Sequence, residues 1–276
     1  MFNPLNHWLS RAGKASTAIS DEAWDAVFPE NPMFAYLSQR DEYRLRDLAE
    51  KCLGRIPVVA GKEMQVTEYI KLTIAAQMAL PILNLGVDHY HDVKEIVVYP
   101  DLFLSYWQST DRAGVVHNRR RVLSGESWQR GPVILSWAHS HPEKEVLSYP
   151  SNVVIHEFAH KLDQLNGSMN GMPALHRDMD IPAWTHIMSQ AFNRLNAECK
   201  DQQAQEFDPY AATKPAEFFA VSSEYFFLAP QILFDFSPDV YAQLSLYYRQ
   251  DPLIYYMDQS LPDHIVKMDG DPHLLA

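Results

Sequence analysis

The chain has 276 residues, of which 47% are hydrophobic and 21% charged; this globular composition excludes extended disorder and allows a sizeable core. The formal net charge of -12 argues against nucleic acid as the main partner, because phosphate contacts need clustered Lys and Arg. The two cysteines, Cys52 and Cys199, exclude a disulfide framework and a cysteine zinc knuckle and fit a reducing cytoplasm.

In chain order, the N-terminal Met-Phe-Asn-Pro-Leu-Asn-His-Trp lacks a basic region followed by an apolar core, so no signal peptide is expected. Asp21 to Phe28 reads as a capped helix start, Asp41 to Leu53 repeats apolar residues at helical spacing, and a third helix is predicted from Val66 to Leu80. The longest uncharged run, Leu72 to Val87, contains Gln77, Pro81 and Asn84 and falls short of the roughly 20 residues of a membrane span. It reads as a buried helix, and no membrane partner is expected. Lys94–Tyr99, Val115–Leu123 and Pro132–Trp137 are short β-rich runs, the second holding the basic run Arg119-Arg120-Arg121, which reads as an exposed strand or turn. Helices return over 151–163, Pro182–Cys199, Pro215–Leu228 and Pro238–Tyr248, and the tail beyond Ser260 reads as mobile. The order predicts an α+β, mainly helical fold with a small sheet ahead of the helix at 151–163. It divides into an N-terminal helical region, 1–90, forming one compact unit with a catalytic region, 91–260, and a tail, 261–276.

The most informative stretch is His156-Glu157-Phe158-Ala159-His160. Imidazoles four residues apart on a helix differ by roughly 40° around the axis and about 6 Å along it, so both reach one cation. Neutral imidazole suits Zn²⁺, and a catalytic site needs three protein ligands and an open position. Glu157 then stands where it can take a proton from an acidified water. Ser151 or Asn152 is the candidate N-cap, and Val153, Val154, Ile155, Phe158 and Ala159 are uncharged, as a buried helix requires. Lys161 departs from the usual uncharged residue after the second histidine. His89, His91, His139 and His141 read as surface or turn residues.

The third ligand must come from elsewhere, since no histidine follows at metzincin spacing. The segment from Asp208 to Tyr225 offers Glu217 and Glu224, seven apart and so on one helix face. Apolar Phe218, Phe219 and Val221 imply burial, where a carboxylate is costly without a cation or strong donor. Glu217 is the better ligand candidate. Glu224 then accepts a hydrogen bond from a ligand histidine, and Asp163, three residues after His160, is placed to do the same; for both, an ordinary surface or salt-bridge acid is the alternative. Tyr210 can donate to an oxyanion or serve a loop structurally. The strand Val133-Ile134-Leu135 is either an edge that pairs with an extended peptide or an ordinary core strand.

Three blocks, His156-Glu-Phe-Ala-His-Lys-Leu-Asp163, Val122 to Trp137 and Asp208 to Phe227, together resemble the Mlc titration factor family of bacterial zinc peptidases. The resemblance implies a cytoplasmic peptidase with one Zn²⁺ per chain, described for the family as an aminopeptidase, and a zincin-like fold similar to the catalytic domain of anthrax lethal factor. It implies His156, His160 and Glu217 as ligands, Glu157 as base and Tyr210 as transition-state donor. It also implies binding of the glucose repressor Mlc, which relieves repression of sugar phosphotransferase genes. The competing reading from another class is a regulatory protein that sequesters a transcriptional repressor, its peptidase activity secondary or absent.

Overall fold

The structure is a computed structural model that describes residues 19–101, 103–110, 116–123, 125–127, 131–141, 149–201 and 207–254; in 103–110, 116–123 and 125–127 the description is of backbone pairing. The predicted tail lies outside the described residues.

Local chemistry sets most helix starts. Ser20 caps α1 (Asp21–Asp25), Ser38 caps α2 (Gln39–Arg55) and Thr67 caps α3 (Glu68–Ala79), each side-chain oxygen accepting a backbone N–H three residues on. Pro81 then turns the chain through a 3-10 segment, Leu80–Ile82. The long uncharged run is therefore the buried α3 and its continuation, with Leu72, Ile74, Ala76, Met78 and Leu80 all in the core. Gln77 is buried with them because its Nε2 donates to Asn31 Oδ1 (2.9 Å) and to the Ser140 carbonyl (3.2 Å). Among the described residues no helix is long and apolar enough to cross a membrane.

The main sheet has four strands in the order β1 (Val58–Ala60), β2 (Ile96–Tyr99), β6 (Val133–Ser136), β5 (Gly125–Ser127). The first three are parallel and β5 runs antiparallel to β6. β3 (Phe103–Thr110) and β4 (Val116–Leu123) form a separate antiparallel pair. The predicted strand from Val115 thus belongs to this pair and not to the main sheet, and the Arg119–Arg121 run lies opposite Trp107–Ser105 on β3. β1, β3 and β5 have no counterpart in the sequence reading. β1 and β5 span three residues each, too short for alternation to register, and take their strand form from their neighbours.

After α4 (Trp137–Ser140) the chain becomes helical: α5 (Val153–Asp163), α6 (Ile181–Lys200), α7 (Pro215–Leu228), α8 (Pro230–Phe236) and α9 (Pro238–Tyr248). Pro215, Pro230 and Pro238 each occupy a first helical position, where the missing N–H costs nothing. The fold is α+β and mostly helical. α5 lies centrally, in contact with α3, α7, β5 and β6. Val154, Ile155, Phe158, Ala159 and Leu162 are fully buried, and Phe158 stacks edge-on against Tyr90 with centroids 4.7 Å apart. At about 1.5–3 kcal/mol for a fully buried large apolar side chain, this packing holds α5 rigidly enough to carry a site.

Candidate metal centre

α5 begins at Asn152, whose Oδ1 accepts the Ile155 N–H at 2.9 Å, so of the two candidate caps the structure uses Asn152. One turn later His156 and His160 project from the same face, their rings 4.8 Å apart and nearly perpendicular. α7 crosses α5 and brings Glu217, in its first turn, to both: Oε2 lies 3.1 Å from His156 Nε2 and 3.2 Å from His160 Nε2. The three ligand atoms all fall within 4.8 Å of one another. A tetrahedral centre with bonds of about 2.0–2.1 Å sets its ligands about 3.3 Å apart, so the two separations from Glu217 match edges of a zinc coordination shell, and the nitrogen and oxygen donors suit that ion.

Electrostatics favour a cation at this point. Burial opposes a charge on Glu217, yet hydrogen bonds from His156 and His160 hold its carboxyl well below the usual range. Burial likewise opposes a proton on His156, and the carboxylates of Glu217 and Glu224 nevertheless raise it well above the ordinary imidazole value. A divalent cation satisfies all three groups at once, in place of the protons they otherwise share.

Glu224, about two turns along the same face of α7 from Glu217, accepts from His156 Nδ1 at 2.7 Å and from the Asn152 backbone N–H at 2.5 Å. A carboxylate only accepts, so Nδ1 carries a hydrogen, and a cation that takes the place of the proton shared with Glu217 meets the Nε2 lone pair. Asn152 therefore both caps α5 and anchors the group that orients His156. Glu157 is 5% exposed; burial pushes its carboxyl above the usual range, with the imidazoles of His156 and His160 opposing. Tyr210 stands in a 3-10 turn, Pro209–Ala212, with its ring centroid 6.1 Å from that of His156 and its side chain half open to solvent. Asp208 Oδ1 accepts the Tyr210 N–H at 2.8 Å, and the Tyr225 hydroxyl on α7 accepts the Asp208 N–H at 3.1 Å, tying this turn to the helix that carries Glu217.

The profile of the glucose-regulated metallo-peptidase M90 family matches residues 5–249. This chain belongs to that family. It is 35% identical over 251 residues to Mlc titration factor A of Klebsiella pneumoniae subsp. pneumoniae, covering 88% of this chain and 94% of the relative. Mlc titration factor A of Serratia proteamaculans is 38% identical over 225 residues, 80% of this chain and 85% of the relative. That of Salmonella typhi is 36% identical over 239 residues, 86% and 89%. Membership of a metallopeptidase family agrees with a metal at the His156, His160 and Glu217 cluster.

The structure shows what Asp163 accepts from and decides between the edge and core readings of Val133–Leu135. Asp163 is fully buried but its Oδ2 accepts the Gly171 N–H at 2.8 Å, while its Oδ1 and His160 Nδ1 both lack a hydrogen-bond partner. The side chain leans to the loop after α5 rather than to the histidine; burial pushes its carboxyl up to about 6. Val133, Ile134 and Leu135 are not an edge. β2 pairs with one side of β6 and β5 with the other, and Val133 and Leu135 are fully buried. Among the described residues the edges of this sheet are β1 and β5, and β5 is the one that lies beside α5. Of the histidines outside the cluster, His139 Nδ1 meets Ser136 Oγ at 2.9 Å and His91 Nδ1 meets the Asp88 carbonyl at 2.9 Å, both local turn contacts.

Proposed function

We propose that this chain is a zinc metallopeptidase of the His-Glu-x-x-His plus Glu type, zincin-like in fold, that holds one Zn²⁺ on His156, His160 and Glu217 and acts as an aminopeptidase. The observation that carries the reading is the meeting of two Nε2 atoms and one carboxylate oxygen at 3.1–3.2 Å, from two helices that are far apart in sequence. A bound Zn²⁺ supplies Lewis acidity, polarising a peptide carbonyl and acidifying water. Glu157 takes the water proton and returns it to the departing amine. Tyr210 donates from its phenol to the oxygen that gains charge as water adds. Glu224 keeps His156 in the Nδ1–H form. The edge strand Gly125–Ser127 lies next to α5 and is the backbone an extended peptide pairs with. The regions 1–90 and 91–260 act as one unit, a reading supported by β1 pairing with β2 and by an apolar cluster that runs from Trp24 to Leu253. Two cysteines in 276 residues favour the cytoplasm.

The test is elemental analysis with peptide hydrolysis. We expect about one zinc per chain in the parent, loss of zinc in His156→Ala, and zinc without hydrolysis in Glu157→Gln; full hydrolysis by a clean Glu157→Gln preparation refutes the mechanism. Release of the first residue from a free peptide but not from its N-acetylated form identifies the aminopeptidase. The relatives' name, Mlc titration factor A, favours a second role, binding of the repressor Mlc and thereby relief of sugar phosphotransferase repression. Glu157→Gln retaining full Mlc binding supports it as a function separable from hydrolysis; absence of binding by the parent rejects it.

A further inference from the structure

The start of α7 has no side-chain cap of its own: Lys214 sits at the N-cap and makes no capping bond. Yet this is the turn that must hold Glu217 to within a fraction of an ångström of its position beside the histidines. The residue packed against it is Gly171, far upstream in the chain.

Gly171 has φ +78°, a conformation that side-chain-bearing residues rarely adopt. A Cβ built on it stands 2.8 Å from the Pro215 carbonyl carbon and closer still to the carbonyl oxygen, whereas real Cβ atoms essentially never come within 3.0 Å of such atoms. The loop backbone therefore lies directly against the first residue of α7. The loop is itself held at both ends of this peptide unit. Asp163, the last residue of the helix that carries both histidines, accepts the Gly171 N–H at 2.8 Å; Trp184 of α6 donates its Nε1–H to the Gly171 carbonyl at 3.2 Å. Trp184 is 1% exposed and its ring packs on Phe219 of α7 and on Tyr247, with centroids 6.1 and 6.0 Å away. Asn166 Nδ2 donates to the Met172 carbonyl at 2.6 Å and completes the loop's attachment to the end of α5.

We propose that Asp163, Gly171 and Trp184 are positioning residues that clamp the first turn of α7 to the end of α5 and so set the distance between Glu217 and the two histidines. The clamp uses the carboxylate at the end of α5 to place a candidate ligand carried by α7, and its residues are not among those that meet at the cluster. This inference rests on the zinc reading above, and its test separates the two. Zinc dissociation constants are measured on the full chain by competition with a chromophoric chelator, with far-UV circular dichroism and thermal unfolding of the metal-free protein alongside. Gly171→Ala is expected to weaken zinc about ten-fold or more while keeping helical content. Asp163→Ala is expected to do the same, and Asp163→Asn, whose amide oxygen still accepts the Gly171 N–H, to return to within about three-fold of the parent. Trp184→Phe keeps an aromatic ring but removes the donor together with part of the indole's volume, and is expected to weaken zinc several-fold; it decides the matter if Gly171→Ala does not fold. Lower melting temperatures with zinc affinity equal to the parent overturn the clamp and leave a scaffold contact. A parent that binds no zinc, or binds it equally after His156→Ala, overturns instead the metal site on which the inference rests.

Discussion

Replacing Glu224 by Gln isolates the group that selects the His156 tautomer. Both neighbours of Glu224 are donors, His156 Nδ1–H at 2.7 Å and the Asn152 N–H at 2.5 Å, and the residue is 5% exposed, so water does not substitute for either. The carboxylate accepts both; an amide of the same shape offers one acceptor and one donor, leaving an N–H against an N–H whichever way it turns. Alternatively His156 shifts its hydrogen to Nε2, which relieves the clash and blocks the nitrogen that faces Glu217. Losing a buried hydrogen bond to a charged group is worth about 1.5–3 kcal/mol, and a similar figure results from the 10- to 100-fold loss of metal affinity typical of removing such a partner, about 1.4–2.8 kcal/mol. We therefore expect zinc to bind Glu224→Gln about 10- to 100-fold more weakly than the parent in a chelator competition, with the unfolding midpoint of the metal-free protein in urea also lowered because the cap at Asn152 is disturbed. Zinc affinity within two-fold of the parent would refute the tautomer argument.

Three further outcomes are expected. Phe158→Ala removes a fully buried ring packed on Tyr90 within the motif itself and should cost about 3–5 kcal/mol of stability, read from urea unfolding. Lys161 is 5% exposed and burial lowers its ammonium to about 8 from 10.5. The folded state thus binds fewer protons than the unfolded state between these values, the charged amine costs the fold about 3 kcal/mol at pH 7, and that cost fades as pH rises from 8 to 10.5. Lys161→Met should accordingly be more stable than the parent at pH 7 in metal-free form, and the difference should shrink across that window; a pH-independent difference would count against the buried charge. Tyr210→Phe should keep one zinc per chain and lose about 10²-fold in kcat with KM little changed, since the phenol acts on charge present only in the transition state.

Much of the candidate site was legible along the chain because its chemistry is local. The spacing of His156 and His160 follows from the helical repeat, Glu157 comes with them, and the Pro215 start with apolar neighbours marks a buried helix bearing Glu217 and Glu224. Most helices were legible to within a few residues for the same reason, as in Asn152 before Val153–Asp163 and Pro215 at the start of Pro215–Leu228, whereas the short α4 and α8 were not. The strands fared worse. β1 and β5 are three residues long, and Val133–Leu135 reads equally as edge or core because alternation and apolarity say nothing about how many neighbours a strand has.

By itself, then, the sequence determined the candidate ligand pair, the candidate base beside it, the pool of acids that could supply a third ligand and an α+β order of elements, all of them consequences of periodicity, capping and burial over a few residues. Only the tertiary structure decided that Glu217 and not Glu224 meets both Nε2 atoms, that Glu224 reaches behind to Nδ1 and Asn152, that Asp163 serves the Gly171 loop, and that β5 rather than β6 is the edge. Each of these depends on the crossing of α5 and α7 or on the lateral order of the sheet. Such contacts join residues roughly 10–70 positions apart, and the free energy that selects them is the packing of the shared core, which no short window of the chain contains.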